Sequence, residues 1–307
     1  MISRYIKIDE EISNAIKNKK PIVALESSLI SHGLPYPENI DTAKKSIENI
    51  RSSGSIPATI GIINGNIKIG LNSNEIKILA ENNKVEKVSR HNLALSMFKN
   101  KFASTTVASS LMISNLIGIQ FFSTGGIGGV HRNLESTYDI SSDLTEFEKN
   151  NIIVISSGAK SILDIFKTNE MLETLGIAKI GYKTNKVPGF WSKETSLKVD
   201  YKINKLNELI KIIENRKALN QKGSLLLYNP VPNKYSIKNS LIEKWIEIAH
   251  VKAKKKRISG KELTPFLLKE ISLLSKGLTL KTNISLILNN AKLAGKVAYE
   301  INKFLWK

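Results

Sequence analysis

The stretch NIIVISSGAKSILDIFKTNEMLETLG, residues 151–176, decides the fold class. Its first half, NIIVIS, is a short apolar run rich in β-branched residues, which is typical of a buried strand. A Ser-Ser-Gly turn follows, and the remainder repeats apolar residues at helical spacing. Strand, turn and helix in this order form the repeating unit of an α/β protein, in which helices cover a largely parallel sheet.

The same alternation extends outward from this stretch through the whole chain. Strands are predicted at 21–28, 84–89, the start of 119–132, the start of 151–176, 178–183 and 223–232, and helices at 38–53, 73–82, 105–118, the end of 151–176, 204–220, 238–256 and 282–304. Residues 58–71 predict two strands joined by Asn64-Gly65, a strong hairpin signal. We therefore expect a three-layer α/β/α fold around a central, largely parallel but mixed sheet. Because the linkers are short, residues 1–307 are predicted to form a single domain.

The amino-acid composition limits which kinds of protein class and catalytic site are possible. The chain has 307 residues, 41% hydrophobic and 24% charged, as in ordinary globular proteins. It has no cysteine, which excludes disulfides, thiolate nucleophiles and cysteine-bound zinc. The sequence shows no apolar run of membrane-spanning length and no signal-peptide pattern near Met1, so the cytoplasm is the expected location and no membrane partner is expected.

The net charge of +19 raises the question of nucleic-acid binding, since clustered Lys and Arg neutralise phosphates. The basic residues are mostly Lys, scattered through a chain that is also rich in Ile and Asn, which favours a general compositional drift. The one dense run, KAKKKR at 252–257, reads as the end of a solvated helix. We expect no nucleic-acid partner, although a positive field favours a phosphorylated substrate.

Charged residues follow several predicted strands, where parallel sheets bind their ligands. Lys160 lies just past the Ser-Ser-Gly turn, Glu26 ends the run VALE, and KVSR carries Lys87 and Arg90. At a helix start and between apolar walls, the ammonium form of Lys160 is disfavoured, and the free amine is a nucleophile. Glu26 is placed to act as an acid. On spacing alone, each of these residues could equally be a surface residue.

The loop TGGIGGVHR, 124–132, contains four glycines in five positions. Glycine allows backbone N–H groups to converge on an anion, but the spacing is that of neither a Walker loop nor a GxGxxG motif. His131 and Arg132, directly after the glycines, favour a phosphate or carboxylate site. A tight structural turn is the alternative.

The segment YDISSDL, 138–144, places Asp139 and Asp143 four residues apart with two serines between them. Oxygen ligands at such spacing suit a hard divalent ion such as Mg²⁺ or Mn²⁺, which usually keeps several waters. Capping of the following helix is the simpler alternative, and Asp143 alone could provide it.

A colinear series of segments resembles pseudouridine-5′-phosphate glycosidases, also called the indigoidine synthase A-like family. The segments are ALESSLISHGLPYPEN (24–39), PATIGIINGNIKIGL (57–71), KVSR (87–90), TTVAS (105–109), STGGIGGVHR (123–132), YDISSDL (138–144), GAKSILD (158–164), NPVP (229–232), GKELTPFLL (260–268) and NISLILNNAKLA (283–294). They cover essentially the whole chain in order.

The resemblance implies a role for each matching residue. Lys160 of GAKSILD corresponds to the nucleophile that attacks C1′ of the ribose, and Glu26 of ALES to the general acid that protonates the ring oxygen. Asp139 corresponds to the aspartate that binds one largely water-coordinated Mn²⁺ per subunit. The remaining matches are implied to contact substrate or metal-bound water: Lys87, Val107, His131, Ser141, Ser142, Asp143 and Asn283.

The implied reaction is reversible cleavage of pseudouridine 5′-phosphate to uracil and ribose 5-phosphate, in pseudouridine catabolism. The bond to be broken joins carbon to carbon, so an iminium at C1′ supplies the electron sink that a ring nitrogen cannot. A Schiff-base lysine and an acid are the minimum equipment. The resemblance also implies a homotrimer.

One departure and two rival functions remain. Where the family pattern leads us to expect KVSRRD, this chain has KVSRHN, with His91 and Asn92. If the expected Arg–Asp pair supports the Lys87 loop, Asn92 removes one carboxylate acceptor and would lower affinity, but an active enzyme is still expected. The rivals are an aldolase-like lyase or a glycosidase for another C- or N-glycoside, and a basic nucleic-acid-binding protein, which would bind with steep salt dependence.

Overall fold

The computed structural model describes residues 4–99, 102–132, 134–258 and 263–305. The strands are β1 Ile6–Ile8, β2 Ile22–Leu25, β3 Ile56–Ile63, β4 Asn66–Ile69, β5 Glu86–Val88, β6 Phe102–Thr105, β7 Phe121–Ser123, β8 Ile153–Ser156, β9 Ala178–Tyr182, β10 Tyr201–Ile203 and β11 Leu225–Tyr228. The helices are α1 Glu10–Lys17, α2 Glu38–Ser52, α3 Ser73–Glu81, α4 Leu93–Lys99, α5 Val107–Leu116, α6 Leu134–Thr137, α7 Ser142–Lys149, α8 Ile165–Thr174, α9 Leu206–Ala218, α10 Asn239–Lys255, α11 Leu263–Leu274 and α12 Leu278–Leu305.

The central sheet runs in the order β3-β2-β7-β8-β11-β9-β10, and each neighbouring pair in it is parallel. Strand β3 continues beyond β2, where it pairs antiparallel with both β4 and β6. Strand β1 then adds to β4 and β5 to β6. The β3–β4 hairpin turns at Asn64 and Gly65, both with positive φ, as the sequence predicts. The sheet is therefore largely parallel and mixed.

Alternate residues of the central strands face two different helical layers. Val23 and Phe121 pack in one cluster with residues of α2, α9 and α12. Their neighbours Ala24 and Phe122 pack in another cluster, with residues of α5, α7 and α8. A strand that is apolar on both faces must be covered on both faces. The predicted three-layer α/β/α architecture is confirmed.

The structure corrects the position of Lys160. The sequence places this residue at the start of a helix, whereas α8 begins at Ile165 and is capped by Asp164, whose carboxylate accepts from the Lys167 N–H. Lys160 instead lies in an extended segment, so the argument from a helix dipole is wrong. The structure also contains elements that the sequence analysis left out, among them β1, α1 and α11. In the described ranges, no helix is both long and apolar enough to cross a bilayer.

Parallel strands place the residues that follow them at one edge of the sheet. Glu26, Thr124, Ser157 and Asn229 come directly after β2, β7, β8 and β11, respectively. Ligands bind at such carboxyl edges because the chain departs there in loops that leave a crevice. This edge carries the candidate site.

Candidate active site

A cleft opens at the carboxyl edge of the sheet, with about 660 Å³ of empty space including its mouth. Four of the predicted site residues line it: Glu26, Lys87, Lys160 and Asn283. They come from parts of the chain that are far apart in sequence. The cleft therefore joins a lysine, a carboxyl group, a second cation and an amide, with apolar walls that include Phe190 and Ile287.

Lys160 is held by an extension of the sheet. The segments that follow β7 and β8 continue side by side. The Ile127 N–H donates to the Gly158 carbonyl, and the Lys160 N–H donates to the Ile127 carbonyl. Gly158 has a φ of +86°, and a Cβ at this position would lie 2.3 Å from the Pro188 carbonyl oxygen. Only glycine combines a positive φ with such a close backbone contact. The Ser-Ser-Gly turn therefore directs the chain so that Lys160 lines the cleft.

The Glu26 carboxylate is buried and accepts a hydrogen bond at each oxygen. The Thr124 hydroxyl donates to Oε1 at 2.6 Å, and the Ser28 hydroxyl donates to Oε2. Both hydroxyls are themselves buried. A carboxyl group held at both oxygens has a fixed orientation, which is what proton transfer to a bound ligand requires.

Lys87 is open to the cleft but surrounded by protein. Burial, and next the positive charge of Lys160, lower the pKa of Lys87, while Glu26 and Asp143 act in the opposite direction. These interactions place the two lysines and the two carboxylates within one electrostatic environment. His32 also lines the cleft, and burial followed by the charge of Lys87 lowers its pKa.

Asn283 is oriented by a tryptophan. The indole N–H of buried Trp191 donates to Asn283 Oδ1 at 2.6 Å. An indole nitrogen can only donate, so the amide oxygen must face it. Within the described part of the chain, the Asn283 NH₂ group has no partner, and it is available to an acceptor in the cleft.

Asp143 joins the glycine loop to helix α5. Its Oδ1 accepts from the Ala108 N–H at 2.9 Å and its Oδ2 from the Gly128 N–H at 2.8 Å. A Cβ on Gly128 would lie 2.2 Å from the Ser141 hydroxyl, so the close approach requires glycine. The sequence predicts that this loop binds an anion, and the anion at Gly128 is the protein's own carboxylate. The structure also shows that Ser141, not Asp143, caps α7.

The other predicted contacts surround this junction. The Ser142 hydroxyl lies 2.7 Å from that of Ser89, which ties α7 to the segment after Lys87. Val107 is buried at the start of α5 and does not line the cleft, so the structure does not bring it together with Lys160 and Glu26. Arg132, which favoured an anion site in the sequence, forms a bidentate ion pair with Glu243 of α10 instead.

His131 and Asp139 form a loosely paired group beside the lysines. Their side chains approach to 3.7 Å, and the Asp139 side chain is 41% exposed. Burial lowers the pKa of His131, Asp139 raises it, and Lys160 and Lys87 lower it further. Among the residues that the structure describes, no group of three or more His, Asp or Glu side chains is arranged to hold a metal. One accessible carboxylate fits an ion that retains most of its waters.

Asn92 is well suited to its position. Its Oδ1 accepts from the Ser89 N–H at 2.8 Å, while its amide donates to Glu86 Oε1 at 3.0 Å and to the Lys87 carbonyl at 3.3 Å. An aspartate in its place would set two carboxylates against each other. Asn92 thus makes three hydrogen bonds within the Lys87 loop, two of which use its NH₂ group and could not be made by an aspartate.

We expect Asn92→Asp to lower the free energy of unfolding by about 1–3 kcal/mol, because a buried donor is replaced by a like charge. Urea unfolding at neutral pH measures the change. Glu86→Gln in the same background should recover most of the loss, and His91→Arg at the exposed neighbour should change little. Equal stabilities of the Asn92→Asp and native proteins would contradict the assignment.

Several residues of the cleft escape sequence reasoning. Ser28 and Thr124 could have been found, since each lies within a motif that carries a predicted residue. Phe190 and Trp191 give no such signal, because they belong to a loop after β9 with no chemical pattern of its own. Their burial against the site comes from tertiary packing.

A scan against family models matches residues 11–300 to the model described as indigoidine synthase A like protein. The chain belongs to the indigoidine synthase A-like family. The match spans the strands and loops that build the cleft, and it confirms the resemblance drawn from the sequence.

Curated members of the family are similar over nearly their whole length. The pseudouridine-5′-phosphate glycosidase of Petrotoga mobilis is 47% identical, with 97% of both chains covered. That of Caldanaerobacter subterraneus subsp. tengcongensis is 45% identical, with 98% of both chains covered. That of Staphylococcus aureus is 45% identical, with 99% of both chains covered.

Solved structures of family members share the fold. An indigoidine synthase A-like protein from Thermotoga maritima superposes with a TM-score of 0.88 at 36% identity, covering 97% of this chain and 96% of that one. The prealnumycin C-glycosynthase AlnA, solved in complex with ribulose 5-phosphate, gives a TM-score of 0.91 at 33% identity, with 98% of both chains covered.

Proposed function

We propose that this protein is a pseudouridine-5′-phosphate glycosidase, which reversibly cleaves pseudouridine 5′-phosphate to uracil and ribose 5-phosphate. The observation that carries the proposal is the meeting of Lys160 and Glu26 in one cleft. The curated relatives supply the substrate, since they carry this name at 40–47% identity.

In the proposed reaction, Lys160 Nζ attacks C1′ of the ribose. The C1′–O4′ bond breaks as the new N–C1′ bond forms, and Glu26 gives its proton to O4′, which opens the ring. The fixed carboxyl orientation set by Thr124 and Ser28 supports this transfer. The attack leaves the nitrogen as an ammonium, and Glu26, now a carboxylate, takes one of its protons, which frees a nitrogen lone pair for the next step.

Cleavage of the C-glycosidic bond then follows. Glu26 gives its regained proton to uracil C5, the electron pair of the C1′–C5 bond restores the uracil ring, and the nitrogen lone pair forms the C1′=N bond of a Schiff base. Water adds to C1′, which releases ribose 5-phosphate and the free amine of Lys160. Each step is reversible, so the same groups can build the C-glycoside.

The remaining residues bind and orient. Lys87 offers positive charge to the phosphorylated sugar, His131 lies near it as a further hydrogen-bonding group, and the free NH₂ group of Asn283 suits a carbonyl oxygen of uracil. Apolar walls that include Phe190 limit the entry of water. We also propose that the protein works as a homotrimer of single-domain subunits in the cytoplasm.

A Mn²⁺ ion is part of the proposal, with Asp139 as its protein ligand. When bound, such an ion would supply fixed positive charge and ordered waters beside the phosphorylated substrate. The accessible Asp139 carboxylate supports this assignment.

We expect Asp139→Asn to weaken Mn²⁺ binding at least about tenfold, because the amide oxygen carries no formal charge. The electron paramagnetic resonance signal of free Mn²⁺ measures binding without any turnover. Asp41→Asn, at an exposed position of α2, is the matched control. Equal Mn²⁺ affinity of native protein and Asp139→Asn would remove Asp139 from the metal site.

We expect Thr124→Val to lower kcat about 10- to 100-fold with a smaller change in KM, because the Glu26 carboxyl loses one of the two bonds that orient it. Thr124→Ser should recover most of the rate, which a purely structural defect would not predict. Thr174→Val, the same change on an exposed helix, is the control. Steady-state kinetics measures kcat and KM for each variant. A native kcat in Thr124→Val would show that Thr124 does not position the Glu26 carboxyl.

A second candidate is synthesis or cleavage of a C-glycoside with a different aglycone. The structural likeness to a C-glycosynthase favours it. The higher identity to pseudouridine-5′-phosphate glycosidases ranks it below the first proposal. Turnover of alternative aglycones, with uracil inactive, would reverse this order.

The test of the proposed function is an assay in both directions with Mn²⁺. Uracil and ribose 5-phosphate should give pseudouridine 5′-phosphate, and the reverse reaction should release uracil, both followed by ultraviolet absorbance. Absence of turnover in both directions by the native protein would refute the proposal.

A further inference from the structure

A second cleft lies beside helix α12, with about 580 Å³ of empty space including its mouth. It lies where Tyr182 ends β9 and Asn229 follows β11, and its other wall is helix α12. Its lining residues differ from all of those that line the candidate active site. Tyr182 and Asn229 stand at the carboxyl ends of their strands, where parallel sheets bind ligands.

The α12 wall brings two positive charges together. Lys292 and Lys296 both line the cleft, one helical turn apart. None of the ion pairs among the described residues involves either lysine, and no carboxylate lines the cleft there. Like charges four residues apart repel on a helix surface. An anion bound between them would relieve this repulsion.

The floor of the cleft offers fixed hydrogen-bond acceptors. The buried Asn229 amide donates to Asn290 Oδ1 at 3.0 Å, and the Asn290 amide donates to the Thr124 carbonyl at 2.8 Å. Asn289 donates to the Pro230 carbonyl at 3.3 Å. These bonds use the side-chain NH₂ groups of Asn229, Asn289 and Asn290. Among the residues that the structure describes, no donor bonds to the side-chain oxygen of Asn229 or Asn289. Such oxygens are suited to accept from the hydroxyl groups of a ligand.

We propose that this second cleft binds a sugar phosphate. The phosphate dianion matches the two ammonium groups of Lys292 and Lys296, whereas a carboxylate would neutralise only one charge. The sugar hydroxyls match the amide oxygens of Asn229 and Asn289. Because Asn290 fixes Asn229 before a ligand arrives, little ordering is needed on binding.

Isothermal titration calorimetry with ribose 5-phosphate tests the proposal on the full chain. The native protein should bind two equivalents per chain, and Lys292→Gln/Lys296→Gln should retain one and bind the other at least tenfold more weakly. The control Lys254→Gln/Lys255→Gln changes the net charge equally at exposed positions of α10 and should bind two. An unchanged unfolding midpoint in each variant shows that the fold is intact.

A second titration uses inorganic phosphate. Weaker binding of phosphate than of ribose 5-phosphate in the second cleft supports recognition of the sugar, whereas equal affinity would reduce the site to one for free phosphate and overturn the proposal. One equivalent of ribose 5-phosphate in the native protein would also overturn it, as would equal losses in the α10 control. Borohydride trapping on Lys160 reports the first cleft separately, so failure of the proposed function is distinguishable.

Discussion

Lys160→Ala is expected to reduce turnover by at least about a thousandfold, because the proposed imine at C1′, which accepts electrons as the carbon–carbon bond breaks, can no longer form on this residue. Lys160 enters the cleft from an extended segment fixed on both sides by backbone hydrogen bonds, so loss of its side chain should leave the fold unchanged. The release of uracil from pseudouridine 5′-phosphate measures the effect.

Borohydride reduction in the presence of ribose 5-phosphate gives an independent measurement. The native protein should gain the mass of one reduced ribose phosphate on the peptide that contains Lys160, and Lys160→Ala should gain none there. Lys149→Ala, at an exposed position of α7, should behave as the native protein does. An adduct on Lys87 in native protein, or full turnover in Lys160→Ala, would assign the nucleophile elsewhere.

Asp143→Asn should lower the free energy of unfolding by about 2–4 kcal/mol. One buried carboxylate accepts the Gly128 and Ala108 N–H groups, and an amide of the same shape can accept only one of them. Its NH₂ group would face the other N–H, which leaves a buried donor unsatisfied. Urea unfolding measures the change, with the exposed Asp41→Asn as the isosteric control.

Activity should fall with this substitution even where the protein remains folded. The glycine loop that Asp143 holds also carries the Ile127 carbonyl, which accepts from the Lys160 N–H. Measurement of kcat at low temperature, well below the unfolding midpoint, separates the two effects. If Asp143→Asn had native stability, Asp143 would not be the buried link between the loop and α5.

The fold was predictable from the sequence because its signals are local. Apolar runs bounded by glycine give the central strands, and Asn64-Gly65 gives the hairpin. The start of α8 was not predictable in the same way. After Gly158, the chain pairs with the glycine loop at residues 159–160 and then turns between Lys160 and Leu163, and that pairing is a tertiary contact.

The candidate site was likewise predictable only where its signals are local in the sequence. Glu26, Lys87, Lys160 and Asn283 could be placed from their motifs, and the structure brings them to one cleft. What orients them could not be read from the sequence. The Trp191 N–H that fixes Asn283 comes from 92 positions away in the chain, and spacing carries no information about such a contact.

Helix α12 contributes Asn283 to the first cleft and Lys292 to the second, and its Asn290 amide binds the Thr124 carbonyl. Proteins are made from the N-terminus, at about 5–20 residues per second. The lysine and the acid are thus synthesised well before the helix that completes their surroundings. A ribosome-bound chain that has not yet exposed residues 283–290 has Lys160 and Glu26 but lacks one wall of their cleft. Under the proposed function, catalytic competence therefore comes late in the synthesis of this protein, only after α12 has packed against the sheet.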